Sequence, residues 1–218
     1  MSFGALLSKD LSRELRGRDA LTTGGVLVAT MLLAAMFVIT AVRGDVAAAA
    51  LVLWFPLLYG GLAAAGRGLA NEADAGTLDY LQSLPVPMAW HGISRTLANA
   101  LVTLVLGGAT LLLLRLLFGL ELSLEVIVIV IISAFGIALL GTLVGGLAAG
   151  ARSREILLPV LAIPLLAPLL QAGTKATLSA LQGATFADLQ SALLLMIGYL
   201  LVMAGVAWLV WGIVLEAE

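Results

Sequence analysis

Long apolar runs broken by short polar stretches dominate this chain, and six of them, at residues 21–42, 46–65, 97–118, 126–149, 156–172 and 191–215, approach or exceed the length of a bilayer crossing. About 20 residues at roughly 1.5 Å each span a hydrocarbon core of about 30 Å, so each run predicts a transmembrane helix. A membrane barrel is excluded, because its strands alternate in polarity and these runs do not. The expected fold is an all-α integral membrane protein, residues 1–218 forming one transmembrane domain. Two further segments frame it, an amphipathic helix within residues 1–20 and a polar loop at 66–90.

Before the first run, Phe3, Leu7, Leu11 and Leu15 recur every four residues and form one helical stripe, with Lys9, Arg13 and Arg16 opposite. Such a helix is expected to lie in the membrane interface, apolar face down and cations toward anionic headgroups. Leu6 falls off the stripe, and the spacings of Asp10 with Arg13 and of Glu14 with Arg18 allow weak surface pairs. A cleaved signal peptide is the competing reading of this start. Against it, the first run is span-length and follows acids as well as bases.

Composition sharpens the class. Hydrophobic residues make up 62% of the chain and charged ones 11%, with a mean hydropathy of +1.15, against about 25% charge in soluble domains. The net charge of −2 says little about partners, and the absence of cysteine removes disulfides and thiolate metal ligands. Orientation follows from the basic residues near the span ends. With the N-terminus inside, Lys9, Arg13, Arg16, Arg18, Arg67, Arg95, Arg152 and Arg154 are cytoplasmic and only Arg43, Arg115 and Lys175 lie outside, which predicts both termini in the cytoplasm.

The loop between spans two and three then faces the cytoplasm. In NEADAGTLDYLQSLPVP, residues 71–87, Leu78, Leu81 and Leu84 make a short apolar face, and Asn71 or Asp74 is placed to cap its start. Pro85 and Pro87 end it, since each disfavours α geometry in the residue before it. A short helix with leucines beside water and an acidic rim suits a soluble partner better than a plain connector would.

Packing signals lie in two other spans. Gly141, Gly145, Gly146 and Gly150 give overlapping G-x3-G spacings in the fourth, which let helix backbones approach closely. They serve either packing within the chain or a dimer seam. In the fifth, Pro159, Pro164 and Pro168 remove three backbone donors, so this helix is expected to bend or break and is a candidate hinge. Residues 173–190 read as a polar segment outside the membrane, with Phe186 and Leu189 able to dip into the interface.

Catalytic chemistry is hard to find. A P-loop needs G-x4-G-K-[ST], and neither Lys9 nor Lys175 follows a glycine in that pattern, so energy must come from a partner or an ion gradient. An ion-coupled transporter usually keeps ionisable groups at mid-membrane, where an isolated charge costs at least about 2.5 kcal/mol. No acid lies deep in any run, and Arg115 sits near an outer end where it can snorkel. Haem ligation is equally thin. His91 is the single histidine, the six methionines are scattered, and Trp54, Trp90, Trp208 and Trp211 are isolated, so no metal or haem site is assigned.

Several stretches carry a family resemblance. Glu72, Gly76, Thr77, Leu78, Leu81 and Pro85, in the order E-x3-G-T-L-x2-L-x3-P, resemble the loop between spans two and three of ABC-2 exporter permeases. KDLSRELRGRDAL near the start, Leu53 with Trp54, the 71–87 segment and RSREILLPVLAIPLLAP at 152–168 together resemble the CcmB family, the permease subunit of the cytochrome c maturation haem exporter.

The resemblance implies a non-catalytic subunit of the inner membrane, with residues 72–85 as the contact to a separate ATPase. Its implied partners are a CcmA-like ATPase, a CcmC-like haem-handling protein, a CcmD-like small membrane subunit, a second copy of the chain and lipid, with no nucleic acid. ATP would sit on the ATPase subunit, and haem would be cargo rather than a bound cofactor. Two alternatives stay open: an ABC-2 exporter of lipid, glycan or drug, and a non-transporting scaffold that couples ATP hydrolysis to release of a haem chaperone.

Overall fold

A computed structural model describes residues 3–16, 26, 29–30, 33, 46–74, 88–148 and 154–213. Six helices run through them: α1 (Phe3–Arg16), α2 (Val46–Asp74), α3 (Met88–Phe118), α4 (Leu124–Ala148), α5 (Arg154–Leu181) and α6 (Phe186–Ile213). Five of these, α2 to α6, are long and apolar enough to cross a membrane. They correspond to the second to sixth apolar runs. No strand occurs among the described residues, and the first run, 21–42, falls largely outside them.

α4 is the centre, packing against α2, α3, α5 and α6. Its sequence is apolar on every side, as befits a helix surrounded by others. Ile129, Ile137, Leu140 and Val144 on α4 meet Leu53 and Leu57 of α2 and Leu166 and Leu169 of α5 in one buried cluster. Small residues set the helix spacing. A Cβ on Gly141 would lie 2.9 Å from the Cβ of Ala65 and 4.0 Å from the carbonyl of Gly61, so α4 approaches α2 closely, while one on Gly136 would lie 2.5 Å from the Leu169 side chain of α5, which fills the space the glycine leaves. α2 and α3 run antiparallel, because Leu57 packs at Gly107 while Thr103 packs at Gly61.

The bundle's outer helix is α6. Leu194, Leu195, Leu201, Val202, Trp208 and Leu209 are exposed on it, while Leu189, Met196, Tyr199, Ala207 and Trp211 face inward. In water such a face would be a liability; in hydrocarbon it is the expected surface of a spanning helix.

Local signals explain the helix ends. Gly119, at φ +66°, terminates α3 with its N–H bonded to the carbonyl of Arg115. Gly183, at φ +89°, closes α5 with paired bonds from Gly183 N to Ala180 O and from Ala184 N to Ser179 O, the αL ending that only glycine adopts without strain. Thr185 then caps α6: Asp188, three residues on, accepts from the backbone N–H of Thr185 at 2.9 Å and from its hydroxyl at 2.8 Å.

Four expectations change here. Residues 173–181 belong to α5 rather than to an outer loop, because their small residues Gly173, Ala176, Thr177 and Ala180 are buried against neighbours. α3 starts at Met88, nine residues before the predicted span, since Ser94, Arg95 and Thr96 are buried in the bundle rather than solvated. Asn71 and Asp74 lie in the last turn of α2, so Asn71 is helical rather than a cap, and the short helix expected through Leu78, Leu81 and Leu84 lies outside the described residues.

Fourth, α5 is an unbroken helix through Pro159, Pro164 and Pro168. Pro164 and Pro168 lie on its exposed side, while Leu158, Ala162, Leu166 and Leu169 hold the other side to the bundle. With Pro164 and Pro168 on one face, the donors they remove leave the ladder opposite them intact.

Candidate functional site

Polar side chains inside this apolar body collect along α3. Ser94, Arg95, Thr96, Asn99, Thr103 and Thr110 are all buried on it, and 95, 99 and 103 follow one another at the i, i+4 spacing of a single helix face. Hydroxyls can bond back to the carbonyl one turn earlier: Thr103 donates to the carbonyl of Asn99 and Thr110 to that of Leu106, each at 2.8 Å. Asn99 reaches across to α4, its Nδ2 donating to Oγ1 of Thr142 at 2.8 Å. Its Oδ1 is buried and meets no donor among the described residues.

At the start of α3 the stripe ends in charge. Asp10 of α1 is 5% exposed and Arg95 of α3 is 4% exposed, with Arg95 Nη1 at 3.8 Å from Asp10 Oδ1. Ser94 Oγ donates to the other carboxylate oxygen at 2.5 Å, and Lys9 Nζ lies 3.7 Å from Oδ1. One turn earlier on α1, Leu6 is fully buried. Trp90 and His91 occupy the first turn of α3, exposed and half-buried respectively. Trp211, near the end of α6, packs its indole on Gly92, where a Cβ would collide with the ring.

α1 therefore has two occupied sides rather than one. Leu7 and Leu11 of the predicted stripe are half-buried, whereas Leu6, placed off that stripe, is the residue that enters the protein. Asp10 does not lie at the surface; it is buried and partners Arg95, while the side chain of Arg13 is outside the described residues. A single stripe implies a single apolar neighbour, and a helix held between protein and a second surface needs two faces. Phe3 and Leu15 lie in α1, but their side chains are outside the described residues.

The remaining predicted residues divide as follows. Glu72 is in the last turn of α2, while Gly76, Thr77, Leu78, Leu81 and Pro85 lie outside the described residues. Gly141 packs on Ala65 and Leu62 within the chain, and Gly145 is buried. A methyl group on Gly146 would have nothing within 4 Å of it, and Gly150 lies outside the described residues. Arg115 is exposed in the last turn of α3, where a cation complements the helix dipole.

Sequence reasoning missed the cluster of Asp10, Ser94 and Arg95 and the pair of Asn99 and Thr142. The available signal was polar spacing in α3, a ladder at 95, 99 and 103 continuing into an apolar run.

A polytopic helical body, with five helices long and apolar enough to cross a membrane and the buried charges of its described residues gathered at one end, belongs to the class of multi-span membrane proteins. The comparisons agree with that class. A family model described as CcmB protein matches residues 1–215, and the chain belongs to the CcmB family. Searches of curated proteins and of solved structures returned no significant match. Membership makes the chain a membrane permease subunit of the ABC-type haem exporter of cytochrome c maturation, working with other Ccm proteins.

Proposed function

We propose that this chain converts work done by a separate ATPase subunit into movement of a haem-handling complex, receiving it through residues 71–87 on the cytoplasmic side. The family match over residues 1–215 carries this reading. Further support comes from α2, which continues to Asp74 past Arg67, the first charged residue after its apolar run. That polar extension of the helix, residues 67–74, is about 12 Å long at about 1.5 Å per residue. Haem is the cargo, and ATP stays on the partner chain, a reading supported by the lack of a P-loop lysine.

Connectivity supports six crossings with both termini on one side. α1 meets the start of α3, and so does Trp211 near the end of α6. Antiparallel to α3, α2 begins at the opposite end, so α1 and the start of α2 lie at opposite ends of the bundle. The Phe3, Leu7, Leu11 and Leu15 stripe then rests on lipid, and the proline face of α5 yields when the cytoplasmic end is pushed. CcmA-, CcmC- and CcmD-like subunits and a second copy complete the assembly.

The experiment is a double substitution, Leu78→Asp with Leu81→Asp, in the complete complex. The variant should insert and keep its helical content, yet lose binding of the ATPase subunit and ATP-dependent haem delivery. Undiminished ATPase binding and delivery would move the contact elsewhere on the chain.

A further inference from the structure

Among the described residues the two buried charged side chains are Asp10 and Arg95, and they face each other. They belong to segments far apart in sequence. Asp10 is on the helix that leads toward the first span, and Arg95 is two turns into α3, the helix that leaves the 71–87 segment. We infer that Asp10, with Arg95 and Ser94, ties α1 to the head of α3 so that both move as one unit and a displacement of Met88 is handed to the start of the first span.

The physical case rests on what a buried ion pair does and does not do. Stripping water from two charges cancels most of their attraction, so apolar residues would hold these helices together at least as well. Register is another matter, since any seating of α1 that keeps one of these charges buried without the other leaves an uncompensated charge in an apolar setting. The pair therefore fixes which faces of α1 and α3 meet rather than adding net attraction. Ser94 adds direction by donating to Oδ2 of Asp10, while Arg95 Nη1 lies near Oδ1. Leu6, fully buried one turn away, seats the same face of α1. The cluster also lies next to the point of entry: Arg95 is seven residues from Met88, the first residue of α3.

That the displacement originates in ATP hydrolysis rests on the function proposed above; the tie itself does not. Two measurements on the complete complex in nanodiscs separate them. The chain has no native cysteine, so Leu6→Cys reports undocking of α1 through its rate of maleimide labelling. Asp10→Arg or Arg95→Asp alone should raise that rate about tenfold or more, and the swapped pair Asp10→Arg with Arg95→Asp should return it to near the starting rate. Equal labelling in all four backgrounds overturns the tie.

The second measurement replaces Asp10 and Ser94 by cysteines and bridges them with a short thiol-reactive linker. ATP-driven haem delivery should be at least as high bridged as unbridged, because the helices are not required to part. Loss on bridging, with recovery on reduction of the linker, would show that they separate during the cycle and overturn the inference. If a single reversal fails to assemble, the bridged chain still decides. Absence of any ATP-driven delivery in the unmodified complex would count against the proposed function and leave the labelling result standing.

Discussion

Trp54 on α2 donates its indole N–H to the hydroxyl of Thr177 on α5 at 3.1 Å, and the Cζ2–Cη2 edge of its ring fills the space beside Gly173 one turn away. Thr177 passes the bond on to the carbonyl of Gly173 at 2.8 Å. The ring needs the space that a missing Cβ leaves, and the indole N–H needs an acceptor in a region without water. A tryptophan that looks isolated in sequence is thus one half of a tie between the second and fifth helices.

Gly173→Ala should therefore destabilise the protein, because the added Cβ collides with the ring and the helices must part. A loss of about 1–3 kcal/mol is expected, visible as a lowered Tm in detergent. Trp54→Phe should cost less through the hydrogen bond, about 0.6 kcal/mol being typical between membrane helices, but also forfeits ring area. A Gly173→Ala protein with native Tm would mean that α2 and α5 are not in contact at this level.

Asn99 and Thr142 offer a second check on the interior. The amide donates to the threonine hydroxyl across α3 and α4, and the hydroxyl in turn donates to the carbonyl of Ala138 at 2.7 Å. Thr142→Val strands the amide, so it should cost about 1–3 kcal/mol. Asn99→Leu in the Thr142→Val background should recover part of that loss. The coupling energy from the four Tm or unfolding measurements should be about 0.6–1.7 kcal/mol; a value near zero would separate the two side chains.

The helices that are legible in sequence are those whose apolar character is continuous. Runs 46–65, 126–149 and 191–215 correspond to α2, α4 and α6 with ends shifted but identity kept. Polarity misleads at the edges. Ser94 and Arg95 look like the end of a span because the partner that accepts from the one and pairs with the other, Asp10, lies eighty-four positions from Ser94. Gly173 to Leu181 looks aqueous because small residues score as weakly apolar although they pack most tightly. The α1 stripe is legible as a pattern, but not the second face through Leu6 and Asp10, since periodicity reveals one direction of burial and not the number of neighbours.

Two glycines of the fourth span distinguish packing within the chain from a seam between copies. At Gly141 a methyl group would sit 2.9 Å from Ala65 Cβ and 3.4 Å from Leu62 Cδ2. Ala65 has no rotamer with which to retreat, so Gly141→Ala should cost about 1–3 kcal/mol. At Gly146 the same methyl meets nothing within 4 Å, and Gly146→Ala should be neutral or slightly stabilising, as Gly→Ala in a helix gains about 1 kcal/mol. Thermal melts of the two variants check the contrast, and size-exclusion profiles should show the same oligomer for both. Loss of the oligomer in Gly146→Ala alone would place a seam between copies there.

Pro164 and Pro168 test whether α5 bends in use. Each lacks the N–H that would bond to the carbonyl four residues before it, so the carbonyls of Val160 and Pro164 lose their usual partners on the exposed side of an otherwise continuous helix. A helix weakened on one face bends more easily about that face, and the cost of bending is lowest where the ladder is already open. Pro164→Ala with Pro168→Ala restores both donors and should raise the Tm, each replacement gaining up to about 3 kcal/mol by helix propensity. If the proline face yields when the cytoplasmic end is driven, the stiffer helix should slow ATP-driven delivery on the order of tenfold while ATPase binding is kept. A higher Tm with unchanged delivery would make the prolines static features of a rigid helix, and the movement would then have to be carried by the joined α1 and α3.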